Sequence, residues 1–149
     1  MAGPLQELLV IDVSRVRSGL IAGVLLADHG AEVIKIEPPG GHYYSTELTR
    51  KGWDRGKSSI ELDIDSDAGK RDLAQLLRTA DVLIHSFEPA EARRRGLDYE
   101  SLRGECPSLV VCALTAYGAD TPMANRPYGE SLAAARLGAM LEKRSPYRD

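Results

Sequence analysis

The side chains best placed to do chemistry are a few cations, one carboxylate and a glycine-bearing turn. Arg93-Arg94-Arg95 is the densest positive charge in the chain. Guanidinium forks match phosphate oxygens bidentately, so the triplet reads as a phosphate site. On the residues alone the simpler reading is a solvated face at a helix C-terminus, where cations are favoured. Lys57 follows Arg55-Gly56 and could serve the same anion. Glu130 follows Arg126-Pro127-Tyr128-Gly129 and opens a helical pattern. It is either an acid in a first helical turn, favoured there by about 0.3–1 kcal/mol, or a carboxylate nucleophile kept ionised by the same helix end. His29, His42 and His85 show no ligand spacing, so no metal site is expected. His29 before Gly30 reads as a residue complementing a helix C-terminus.

These residues must be carried by alternating strands and helices. Strands are expected at residues 8–12 (LLVID), 32–37 (EVIKIE), 58–63 (SSIELD), 82–85 and 108–115 (SLVVCALT). Helices are expected at 19–28, at 68–79 capped by Asp67, at 89–95 stopped by Gly96, at 99–103 stopped by Gly104, and at 130–143. The first helix is apolar nearly all round and should be covered on several sides. Apolar strands separated by helices predict an α/β fold. Its sheet is mostly parallel, Rossmann-like, with helices on both faces. Ligands in such folds bind beyond the carboxyl ends of the strands. That singles out the turns at 14–19, 38–56, 86–89 and 115–130. The first turn, Ser14-Arg15-Val16-Arg17-Ser18-Gly19, lacks GxGxxG. Val16 and Arg17 stand where backbone would have to approach a pyrophosphate, which argues against a nicotinamide site.

The 149 residues fit one domain. Against 22 acids stand 19 bases, a net charge of −3, and the pI near 5.6 argues against a nucleic-acid partner. Apolar residues make up 43% and charged ones 28%, an ordinary globular balance. The apolar run from Leu20 stops at Asp28, short of the ~20 residues a membrane span needs, and no secretory signal is seen. Cys106 and Cys112 form no disulfide framework, and Cys112, inside an apolar run, reads as a buried thiol. A reducing, cytoplasmic setting is expected.

The ordered segments LLVIDVSRVRSG (8–19), LLADHGAEVIKIEPPGG (25–41), RGKSSIELD (55–63), ADVLIHSFEP (80–89), RRRGLDYESLR (93–103), PSLVVCALTAYG (107–118) and NRPYGESLAAARLGAM (125–140) resemble the family III CoA transferases. That group includes formyl-CoA and carnitine CoA transferases, with α-methylacyl-CoA racemase as a relative. The resemblance covers the N-terminal part of the family's large domain. It implies that residues 1–149 are a single Rossmann-like CoA-binding domain, a fragment or truncated form of a longer architecture. In the resembled transferases an active-site Asp attacks an acyl-CoA thioester to form a mixed anhydride, on the way to CoA transfer onto an acceptor acid. By position Glu130 falls at that Asp. Arg94 matches an Arg that meets CoA phosphates, and Lys57, Phe87, Ser86 and Val16 match CoA-contacting positions. Tyr117 matches an aromatic beside the active site.

Several positions depart from the family pattern. Arg126-Pro127-Tyr128-Gly129-Glu130 stands for Arg-Pro-Gly-Tyr-Asp, Ser86 for Asn, Glu88 for Arg, and Ala116 and Thr121 for glycines. The resemblance implies CoA or acyl-CoA as substrate, no tightly bound cofactor, and a carboxylic acid acceptor. It also implies a homodimer or a second polypeptide supplying the missing domain. The alternatives are a racemase-like enzyme, which needs acid–base residues on both sides of its substrate, and a catalytically inactive CoA-binding or assembly domain.

Overall fold

The computed structural model describes residues 3–41, 51–126 and 129–139. Five strands, β1 (Leu9–Asp12), β2 (Glu32–Glu37), β3 (Ser58–Glu61), β4 (Val82–His85) and β5 (Val110–Ala113), form one sheet in the order β3-β2-β1-β4-β5. Every pairing is parallel. The helices are α1 (Arg17–Asp28), α2 (Asp67–Leu77), α3 (Pro89–Arg95), α4 (Tyr99–Leu102) and α5 (Glu130–Arg136).

The period of two along the strands decides which face each side chain joins. Val10, Val33 and Ile84 pack with Ala22 and Leu26 of α1 on one face. Ile11, Ile36, Leu83 and Phe87 pack with Leu73, Leu77, Ala92 and Leu102 of α2, α3 and α4 on the other. The fold class expected from the alternation is therefore present, with β1 and β4 at its centre. Asp81, just before β4, ties three strands at their start. Its carboxylate accepts from the Leu9 N–H at 2.8 Å, and its carbonyl accepts from the Val110 N–H at 2.9 Å.

Local details differ from the sequence reading. α1 begins at Arg17 and leaves Ile21 and Leu25 exposed, so it is covered on one side only. α2 is capped by Ser66 and not by Asp67; the Ser66 hydroxyl accepts from the Gly69 N–H at 3.0 Å. β3 and β5 are shorter than expected, and all four residues of β3 are exposed because it is an edge. Cys112 is half-buried while Cys106 is buried, and both are free thiols. Gly96 ends α3 at φ 68°, as glycine allows. α5 closes at Arg136 with Leu137 as its C-cap, and Gly138 follows at positive φ. Residues 51–53 are helical, a turn the sequence pattern did not reveal. His42, Met140 and Leu141 lie outside the described residues.

Candidate functional site

Strand order reverses between β1 and β4, because β1 connects outward to β2 while β4 begins the other wing. In such sheets the crevice beyond the carboxyl ends of those two strands is the natural ligand site. Here it is framed by the turn after β1 and the turn after β4. The Arg15 N–H donates to the Ser86 hydroxyl oxygen at 2.8 Å and joins the two. Val16 is the extended N-cap of α1, and its carbonyl accepts from the Gly19 and Leu20 N–H groups.

Phe87 is the centre of this junction. Its ring is buried, 3% exposed. The Arg15 guanidinium lies 5.3 Å and the Arg95 guanidinium 4.8 Å from its centroid. Cation–ring attraction of this kind holds two forks against Phe87 in the turn after β4. Arg95 is partly neutralised by Glu91 at 3.0 Å and by Asp65. Arg15 has no ion pair among the described residues, and it lines a small cleft with Val13, Ile36, Pro38, Leu62 and Asp65. Neither Arg15 nor Arg95 was singled out individually from the sequence. For Arg15 the available signal was its place directly after β1; for Arg95 it was the i,i+4 spacing from Glu91.

His85 stacks on Phe87 with centroids 5.8 Å apart. Its Nδ1 accepts from the Phe87 N–H at 3.3 Å, which puts the proton of the neutral ring on Nε2. Burial pushes its pKa below the ordinary 6.5, against the opposite pull of Asp98. A groove of about 750 Å³ runs past His85 and Phe87 along Pro89, Tyr99, Val111 and Thr115.

The other expected site residues are Lys57, Arg94, Tyr117 and Glu130. Lys57 precedes β3 instead of following a strand, and its side chain is 1% exposed. Its ammonium donates to Asp12 Oδ2 at 2.9 Å and to the Leu20 carbonyl at 3.0 Å, so it faces the underside of α1. Arg94 is exposed on α3 without a hydrogen bond or ion pair among the described residues. Tyr117 is half-buried, with the Arg136 guanidinium 5.8 Å from its ring centroid. The two line a separate groove of about 610 Å³ with Arg126, Leu132 and Ala135. Glu130 opens α5 behind the extended N-cap Gly129, as the spacing predicted. Its side chain lies outside what the structure describes. No cluster of metal-ligating side chains occurs among the described residues, and none of their helices is long and apolar enough to cross a membrane.

Known proteins resemble this chain along nearly its whole length. The CoA-transferase family III model matches residues 5–148. The succinyl-CoA:glutarate CoA-transferase of Mus musculus is 33% identical over 147 residues, 92% of this chain and 34% of that protein. The acetyl-CoA:oxalate CoA-transferase of Acetobacter aceti is 33% identical over 148 residues, 93% of this chain and 38% of that protein. The crystal structure of a CaiB/BaiF family protein from Brucella suis superposes with a TM-score of 0.89 at 31% identity, covering 100% of this chain and 43% of that one. A hypothetical protein from Mycobacterium tuberculosis superposes with a TM-score of 0.85 at 35% identity, over 97% and 42%. The chain thus spans 34–38% of the length of these curated relatives.

Proposed function

Because the chain belongs to CoA-transferase family III, we propose that it is the CoA-binding part of a transferase moving CoA between an acyl-CoA and a carboxylic acid. The observation that carries this reading is the crevice at the strand-order reversal, with its two turns hydrogen-bonded and Phe87 between two guanidiniums. Arg15 supplies a cation without an acidic partner among the described residues at the crevice mouth, and Arg94 supplies another on the helix that follows. Both suit the phosphates of CoA, which guanidinium groups bind through paired hydrogen bonds. Ser86 and Val16 act through their turns, shaping the backbone the nucleotide would meet. Tyr117 lies beside the other groove and would border the acyl end. CoA enters as a substrate and leaves again, so no resident cofactor is required.

If Glu130 is the nucleophile, its carboxylate attacks the thioester carbonyl carbon. A C–O bond forms, the C–S bond breaks, and CoA departs as the thiolate, leaving a glutamyl–acyl anhydride. The side chain is one methylene, about 1.5 Å, longer than the family's Asp, and a misplacement near 1 Å costs roughly a hundredfold in rate. Together with the chain's span of 34–38% of its relatives, this favours binding over turnover by the chain alone. We therefore expect mass spectrometry after incubation with acyl-CoAs to find no adduct on Glu130. An adduct abolished by Glu130→Gln would establish turnover instead. The two transferases named above are a succinyl-CoA:glutarate and an acetyl-CoA:oxalate CoA-transferase, and the acceptor here is proposed to be a carboxylic acid. A cytosolic setting is part of this reading, supported by two free thiols, Cys106 and Cys112.

Calorimetry with CoA tests the binding reading. Arg15→Ala and Arg94→Ala should each weaken CoA by about 1.5–3 kcal/mol, the range for a hydrogen bond to a charged group. Equal affinity in Arg94→Ala would make that side chain a solvated cation, and equal affinity in both would sink the phosphate site.

A further inference from the structure

We propose that Lys57 is a positioning residue: with Asp12 and Ser14 it forms a buried clamp that fixes the β1–α1 turn, and through that turn the crevice. The inference rests on the CoA-binding reading for its consequence, while the clamp itself stands on geometry. Asp12 and Lys57 are 0% and 1% exposed in their side chains. One carboxylate oxygen of Asp12 accepts from the Lys57 ammonium at 2.9 Å. The other accepts from the Ser14 N–H at 3.0 Å and from the Ser14 hydroxyl at 2.5 Å. Lys57 also donates to the Leu20 carbonyl at 3.0 Å, in the first turn of α1. β1, the turn, α1 and the residue before β3 are thereby held by one carboxylate and one ammonium. The next link is the Arg15 N–H on Ser86, which ties the same turn to β4.

Helix α1 is cut to fit this pair. A Cβ on Gly23 would stand 2.7 Å from the Lys57 nitrogen and 2.9 Å from Asp12 Oδ2. A Cβ on Gly19 would collide with the Ser14 side chain. A buried ion pair gives little net stability over well-packed apolar residues, because desolvating both charges offsets their attraction. What it does supply is direction. The carboxylate accepts from both the N–H and the hydroxyl of Ser14, which fixes the backbone that leads into Arg15 and Val16. The ammonium has no surface from which to reach a phosphate.

The test compares the wild-type chain, Lys57→Met, Gly23→Ala and the double variant Asp12→Asn/Lys57→Met. Each is titrated with CoA by calorimetry at several salt concentrations, and amide hydrogen exchange is followed at Ser14 and Arg15. Lys57→Met should weaken CoA about tenfold, the size of one coupling within a shared network, and speed exchange at Ser14. Gly23→Ala should do the same by pressing on the pair. The double variant should recover much of both, because the asparagine oxygen still accepts from Ser14 and no buried charge is left alone. The salt dependence of affinity should match wild type throughout, since no charge facing CoA has been removed. A double variant as weak as Lys57→Met, with a flatter salt dependence, would mean that Lys57 touches phosphate itself. Unchanged exchange at Ser14 in Lys57→Met and Gly23→Ala would remove the clamp. If Lys57→Met does not fold, the other two variants decide the same question. Absence of any heat with wild type would defeat the CoA reading, leaving the clamp to be judged by exchange alone.

Discussion

His85 shows how a single buried side chain can carry a pH signature. It is 2% exposed, stacked on Phe87, and held neutral by burial. Its folded pKa lies below the 6.5 of the free imidazole. As pH falls through 6.5 the unfolded chain therefore takes up a proton that the folded chain refuses. The stabilisation by neutral His85 is complete above that pH and is lost progressively down to the folded pKa. Urea unfolding between about pH 5 and 8 should show the wild type losing stability on acidification more steeply than His85→Gln. Parallel curves would mean that some other group carries the acid sensitivity. The Phe87 N–H occupies one ring nitrogen, while Nε2 is buried without a hydrogen-bond partner among the described residues, and the Phe87 ring is itself closed by Arg15 and Arg95.

At the scale of elements, α2 is the clearest case of sequence chemistry building structure. Leu73 and Leu77 fall one turn apart and bury against the sheet, while Leu76 is partly buried beside them. Ser66, outside the apolar pattern, supplies the acceptor that a first-turn N–H needs, its hydroxyl accepting from the Gly69 N–H. Ser66→Ala should cost about 1 kcal/mol, read as a shift of the thermal midpoint, with Ser66→Asp close to wild type. A loss in both variants would show that the cap is held by packing and not by its oxygen. The same helix cannot take a side chain at Gly69, where a Cβ would run into the Asp63 carbonyl. α3 differs in kind. Its three arginines look alike in sequence but have three fates. Arg93 turns back to the Pro89 carbonyl, Arg94 stays in solvent, and Arg95 is drawn onto Phe87, Glu91 and Asp65.

For the whole molecule, the two faces of the sheet are closed and its margins are open. Val110 on the β5 edge is 60% exposed, and Leu132 and Leu137 of the last helical segment are 61% and 83% exposed. Apolar surface left in this way marks an interface when it is contiguous. We expect the chain to self-associate or to take up a second polypeptide, with the region around α5 in the contact. Light scattering across a dilution series should show the apparent mass falling with concentration, and Leu132→Lys/Leu137→Lys should shift the curve to the monomer. A wild type that is monomeric at every concentration would rule out self-association through these leucines.

The sequence by itself determined the fold class, the ends of β2, β4 and α3, and the turns that could hold a ligand. Those features depend on near neighbours in the chain, such as the alternation of Glu32–Glu37 and the helix-stopping Gly96. The family, too, was legible from the order of its segments. Only the tertiary structure decided the roles of the charged residues. Lys57 looked like a phosphate ligand because it is a lysine beside a glycine. It became a buried partner because Asp12, which lies far from it in sequence, ends the central strand beneath Gly23. Arg15 and Arg95 were two cations among many until packing put Phe87 between them. A charge is read by what surrounds it, and those surroundings come from distant segments that strand order alone brings together.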